Sequence, residues 1–455
     1  MAASLANILV LGELESMRWS RFSDVSSVVL QLYEPRNFTP LWSANGVVTP
    51  SARAMVASLS RVADRGLAPA DYDAVRLTGL VNAPLNGADE RAAFDLMLTV
   101  ATIRTLRALT FGVVDPSDAH PTLRISRDSV DFTPAIAALV SGIATDSILD
   151  SAEPRLVTYQ TLKSNLALYR ARAAVDSSQQ HRVAQIVVTL ERWRWLPRSF
   201  ATPPVIVNIP AFDMDAWSSD GSPGMSALHM KVVAGTAGVH ETPIMADTIR
   251  FIEFAPYWIL PLSIVKGELM PMAMRDPHIL TVNNYEVLNR RGRVLVSSLA
   301  SLRMVLAGTA FIRQLPGGLN SLGKVKFLFP NVHDVYLHDS PVRADFRRSR
   351  RDQSHGCVRL GDARAFAAFL LRDQPEWTAS RIDAAMSDRM PTRIGLVRPV
   401  PIFLFYATAD ARPDGGIVFH DDIYGHDATL AALMSGRYGP RGVVGDDAAA
   451  LAGRQ

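Results

Sequence analysis

The hydrophobic pattern changes character near residue 200, and that change commits the chain to two structural classes in succession. Before it, apolar residues recur at close to 3.6-residue spacing. Ala52-Arg-Ala-Met-Val-Ala-Ser-Leu-Ser-Arg-Val-Ala-Asp64 predicts a helix that Gly66 ends, and further helices are expected over 89–109, 159–173 and 179–194. From Pro203 onward β-branched runs such as Val205-Ile-Val-Asn208 and Lys231-Val-Val233 take over. At 455 residues the chain has mass for two to four domains, and 48% hydrophobic with 20% charged residues describes a folded protein. The net charge of +3 is only mildly basic. The one dense basic run, Arg347-Arg-Ser-Arg-Arg351, lacks any accompanying nucleic-acid fold signature, so no nucleic-acid partner is expected. No apolar run is long enough to span a bilayer.

Chemistry concentrates in Ser354-His355-Gly356-Cys357-Val358-Arg359, which holds the chain's single cysteine. One cysteine excludes an internal disulfide framework. A thiol attacks as thiolate and titrates near about 8.5 when free, so a nucleophilic Cys357 needs a base or a positive field. A lone cysteine can equally be a small buried hydrophobe. Gly356, which permits close backbone approach, and His355, an odd choice for an apolar core, favour the reactive reading. A metal site built from Cys357, His355, His338 and His333 is the weaker alternative, because structural zinc sites usually combine several cysteines at paired spacings. No metal or other cofactor is expected.

His338 precedes Ser354 by 16 positions. The stretch from Lys326 to Asp339 reads as two short strands joined by a Pro-Asn turn. Alternation puts Val335 and Leu337 on one face and Tyr336 and His338 on the other, with His338 at a strand end beside a solvent-facing site and His333 on the surface.

These residues resemble the L,D-transpeptidases with a YkuD-type catalytic domain, whose signature is a histidine, about fifteen variable residues, then Ser/Thr-His-Gly-Cys. Arg313-Gln-Leu-Pro-Gly317-Gly-Leu-Asn320-Ser-Leu-Gly323, Leu190-Glu-Arg-Trp-Arg-Trp195, Val207-Asn-Ile-Pro210, Thr242-Pro243 and Pro256-Tyr-Trp258 continue the likeness. It implies acyl transfer between peptidoglycan stem peptides, the donor and acceptor partners, with cross-links joining position three to three or one to three. Cys357 would be the nucleophile, His338 the general base, and Gly356 with Cys357 the main-chain oxyanion donors. In the family the base is oriented by the main-chain carbonyl that follows it, here Asp339. His355 is an alternative base, and Ser354 is expected to brace the loop. Arg359 is either a bidentate clamp on a substrate carboxylate or a structural arginine. Tyr336, Trp258, Asn320 and Arg313 complete the expected substrate-binding set, with Tyr285 a further candidate, although Trp258 and Tyr285 can equally be packing aromatics. Members of the family are acylated by carbapenems.

The expected fold is α+β: a helical scaffold domain over 1–185, a mostly-β catalytic domain over 186–430 with a substrate-capping insertion at 262–312, and a mobile tail within 431–455. The phenylalanine-glutamine and glycine-leucine-aspartate-glycine pattern of the usual peptidoglycan-binding module is missing. A periplasmic location follows from the substrate, although residues 1–17 lack the basic start of a secretory signal. Carboxypeptidase or endopeptidase action through the same acyl-enzyme, and non-catalytic wall binding, stay open. Oligomeric state is not legible.

Overall fold

The computed structural model describes residues 1–126, 129–217 and 226–437. They form two compact units: residues 1–199 with the segment from 407 onward, and residues 200–406.

The first unit is helical, and its core surrounds one long helix, Ala88–Phe111. Apolar and small residues cover every side of that helix, so it is buried around its circumference. Its Asp95 accepts from the Tyr33 hydroxyl at 2.6 Å and from the amides of Leu41 and Trp42 at 2.8 Å each, which satisfies a carboxylate that burial would otherwise penalise. Helices Pro50–Ser60, Val157–Val175 and Gln180–Trp195 match the expected ones within a few residues, and Gly66 ends a 3-10 turn at φ 75°.

The last of these helices lies wholly in the first unit. Glu191 is fully buried and accepts from the amides of Val113 and Val114 at 2.6 and 2.8 Å, while Arg194 donates to the Tyr159 hydroxyl at 3.0 Å. The Glu-Arg-Trp-Arg-Trp segment therefore packs within the helical unit, which runs to Ser199. Residues 407–437 belong there too. Gln185 donates to the carbonyl of His420 at 2.9 Å and Arg192 meets Asp427 at 2.5 Å, so the segment expected to complete the β domain packs on helices. Of the expected mobile tail, residues up to Arg437 are helical, and 438–455 lie outside the described residues.

The second unit is built on nine strands: β1 (Val205–Asn208), β2 (Asp213–Trp217), β3 (Ser226–Gly235), β4 (Met245–Phe254), β5 (Val325–Leu328), β6 (Leu337–His338), β7 (Asp352–Ser354), β8 (Val358–Leu360) and β9 (Thr392–Phe405). Their order is β7-β3-β8-β6-β5-β4-β9-β1-β2, and a further β2–β3 pairing closes the ladder on itself, which removes the exposed edges an open sheet would leave. Register fixes the two faces. Ile394, Ile252, Phe327, Leu337 and Val358 are successive partners across β9, β4, β5, β6 and β8, and the last four are fully buried. One residue along, Arg393, Glu253, Lys326, His338 and Arg359 are partners across the same five strands and project from the opposite face.

The insertion is a folded subdomain. Strands Trp258–Ile259, Ala310–Gln314, Tyr285–Asn289 and Val294–Leu295 form their own sheet. Helices Met270–Arg275 and Leu299–Leu306 cover a separate core that includes Val265, Leu269, Val287, Leu302 and Ile312.

Candidate active site

Strands β6 and β8 run parallel, Leu337 opposite Val358 and His338 opposite Arg359. Continuing that register backwards sets Tyr336 beside Cys357, and the Val358 amide bonds the Tyr336 carbonyl at 3.2 Å. Residues opposite in a parallel pair share a face, so Tyr336, His338, Cys357 and Arg359 crowd one patch.

The turn carrying the thiol is braced from inside. Ser354 Oγ donates to the Cys357 carbonyl and accepts the Gly356 amide at 3.1 Å. Thr242 Oγ1 donates to the Gly356 carbonyl and accepts the Gly235 amide, both at 2.8 Å, which ties the turn to the end of β3. Gly356 sits at φ 105°, a conformation that a side chain would strain. Because Ser354 already engages the Gly356 amide, the Cys357 amide is the one without a protein acceptor among the described residues.

Cys357 is half-buried. Its thiol donates to the carbonyl of Asp334 at 3.7 Å, and the Tyr336 side chain lies beside it. Burial pushes the thiol up to about 11, against the smaller opposing pull of its bonds to Tyr336 and of the Arg359 charge. His338 is buried at 5% exposure, deeper than a strand end beside solvent suggests, and burial followed by the Arg359 charge pulls its imidazole down to about 4. At neutral pH the resting site therefore holds a neutral thiol and a neutral imidazole, not an ion pair. His338 Nδ1 lies 2.5 Å from the Asp339 carbonyl. Among the described residues no direct hydrogen bond joins the imidazole to the sulfur; the Tyr336 ring stands next to the His338 ring at 5.9 Å and reaches the thiol.

The carboxylate of Asp339 is occupied elsewhere. It takes the Lys324 amide at 2.9 Å and the Arg343 guanidinium at 2.6 Å. Gly323, at φ 63°, makes room: a Cβ there would lie 2.4 Å from Asp339 Oδ2. This accounts physically for the glycine of the Asn320-Ser-Leu-Gly323 motif.

The other expected site residues fall into different places. Arg359 pairs with Asp345 at 3.1 Å, so its guanidinium is engaged without substrate. Asn320 is buried and donates to the carbonyls of Pro256, Gln314 and Leu315, holding its loop. Arg313 pairs with Glu286 at 2.8 Å and stacks on Tyr257. Trp258 and Tyr285 pack partly against the core of the insertion. His333 is exposed. His355 stacks beside the His240 ring at 4.8 Å, and its Nε2 lies 2.5 Å from Glu268 Oε1 of the insertion. Sequence reasoning missed Glu268 and gave Thr242 no role; Thr242-Pro243 stood in the motif set, but the position of the hydroxyl depends on long-range pairing. No group of three or more metal-binding side chains occurs among the described residues.

Residues 204–402 match the L,D-transpeptidase catalytic domain family, and residues 27–166 match the Scaffold domain family. A Haemophilus influenzae protein provisionally named an L,D-transpeptidase is 25% identical over 408 residues, spanning 89% of this chain and 78% of the relative.

Proposed function

We propose, for a chain that carries a YkuD-type L,D-transpeptidase catalytic domain behind a scaffold domain, that it cross-links peptidoglycan stem peptides in the periplasm through an acyl-enzyme on Cys357. The observation that carries this reading is the parallel register of β6 and β8, which brings His338 and Cys357 from distant chain segments to one face with a main-chain amide beside the sulfur.

Acylation begins with a neutral thiol. As the sulfur approaches the carbonyl beside a D-amino acid, His338 accepts its proton, and the Cys357 amide stabilises the oxyanion. A pre-formed thiolate is disfavoured by burial, so proton removal accompanies attack. The Asp339 carbonyl and the Leu322 backbone hold the imidazole in place. The D-amino acid leaves with the proton from His338. An amine of a second stem then attacks the thioester, and the cysteine is regenerated. The insertion is proposed to cover this cleft during transfer.

Incubating the protein with purified stem-peptide monomers and dimers tests the reading by product mass. New dimers support the transferase, trimmed peptides support a carboxypeptidase or endopeptidase on the same scaffold, and unchanged peptides remove both.

A further inference from the structure

A cavity of about 320 Å³ opens on the same sheet face as the thiol, lined among others by Phe251, Leu328, Phe329, Asp334, Tyr336 and Arg393. Its volume is at the lower end for small-ligand pockets, roughly 300–1,000 Å³. The Asp334 carbonyl on its wall accepts from the thiol, and the Tyr336 side chain lies beside it. Gly395 stands opposite Phe251 in the register, and a Cβ there would lie 4.0 Å from the Phe251 ring.

Arg393 is the unusual member. In the polar row across the five strands, Glu253 is paired with Lys326 at 3.0 Å and Arg359 with Asp345. Among the described residues Arg393 has no ion-pair or hydrogen-bond partner, and its guanidinium carbon lies over the Phe251 ring, 4.1 Å from the centroid. A stacked guanidinium with its N–H fork unspent is arranged to take a carboxylate bidentately. Arg359, one candidate for such a clamp, is already paired with Asp345, whereas Arg393 on the cavity wall is not.

We propose that this cavity binds the donor peptide and that Arg393 clamps a free carboxylate of that peptide, remote from the bond being broken. The proposal rests on the acyl-transfer reading above. Being remote, the contact is equally present in ground and transition states, so it acts on KM and leaves kcat alone. The exposed carboxylate of Asp334 at the other end disfavours a second anion close to the sulfur and sets the direction in which the peptide lies.

The test uses a synthetic stem peptide ending in a D-amino acid and the same peptide with its carboxylates converted to carboxamides. The wild-type protein is expected to favour the carboxylate peptide by about tenfold in KM, the scale of one partly exposed charge-assisted bond. Arg393→Gln should remove that preference by raising KM for the carboxylate peptide alone, and Arg393→Lys should restore part of it. Equal treatment of the two peptides by wild type, or discrimination kept by Arg393→Gln, overturns the proposal. If neither peptide is turned over, the acyl-transfer reading fails instead. Calorimetric binding to Cys357→Ala protein then decides the clamp without chemistry: adding Arg393→Gln must weaken the carboxylate peptide about tenfold, and unchanged affinity refutes it.

Discussion

Glu268 Oε1 of the insertion lies 2.5 Å from Nε2 of His355, the residue two before the candidate nucleophile. Apart from hydrogen bonds around Gln314–Ser321 at the base of the insertion, it is the one side-chain hydrogen bond among the described residues that joins residues 258–314 to the catalytic sheet. The pair is partly exposed, with side chains 39% and 50% accessible, and such pairs contribute only about 0–1 kcal/mol. Glu268→Gln should accordingly leave the melting temperature within about 4 °C of wild type, since 1 kcal/mol corresponds to roughly 2–4 °C at this domain size. Amide exchange across the segment 265–275 should nevertheless quicken. Unchanged exchange there would mean that the insertion is held by packing and owes nothing to this contact.

Replacing Cys357 by alanine is expected to abolish both turnover and the mass adduct formed with a carbapenem, with the circular dichroism spectrum preserved. An adduct of undiminished yield on the variant would assign the chemistry to another residue.

His338→Ala should slow acylation by about 10²-fold or more, the usual contribution of a general base. His355→Ala should cost much less, because its ring is turned toward His240 and Glu268. Single-turnover rates for the two variants decide between them, and the reverse ranking would make His355 the base.

The pH behaviour follows from the two opposed shifts. With its thiol pushed up to about 11, Cys357 should react with iodoacetamide at a rate that climbs about tenfold per pH unit through neutrality and keeps climbing past pH 9. A plateau below pH 8 would reveal a standing thiolate. Stability should run in the acid direction. His338 is pulled down to about 4 and His120 to about 3, both from an ordinary 6.5, so the unfolded chain binds their protons first. Their contribution is fully present above pH 6.5 and is lost as pH falls through 4 toward 3. Thermal melts between pH 7 and pH 4 should shift downward, and His338→Gln should flatten the dependence.

Gly323→Ala combines a left-handed backbone with a Cβ inside contact distance of the Asp339 carboxylate. A loss of about 1–3 kcal/mol is expected, read as a lower melting temperature. Acylation should fall too, because Asp339 also supplies the carbonyl that orients His338.

What the sequence made legible and what it hid divide along contact range. The helices, the strand Val205–Asn208 and the facing of Tyr336 with His338 depend on periodicities of two or 3.6 residues, which neighbouring positions display directly. The packing of Glu191 was hidden because its amide partners lie 78 and 77 residues earlier, out of reach of any local pattern. Sequence left Arg359 readable as a clamp or as a structural arginine because Asp345, 14 residues before it, returns to it only through the 3-10 turn Arg343–Arg347. The roles of Glu268 and Arg393 depend on which strands become neighbours, and residue types alone carry no trace of that.

The parallel pairing of β6 with β8 also gives the gap between histidine and cysteine a mechanical meaning. Two strands aligned in the same direction cannot be joined by a tight hairpin; the chain must travel back along the sheet before it can start again, a journey of a dozen residues or more. Residues 339–357 are that return path. Their number is set by the distance to be covered, while Asp339, Asp345, Ser354, Gly356 and Cys357 among them are held by the contacts described above. Shortening it by a few residues should therefore disable the protein as surely as deleting the sulfur, with every reactive group still present.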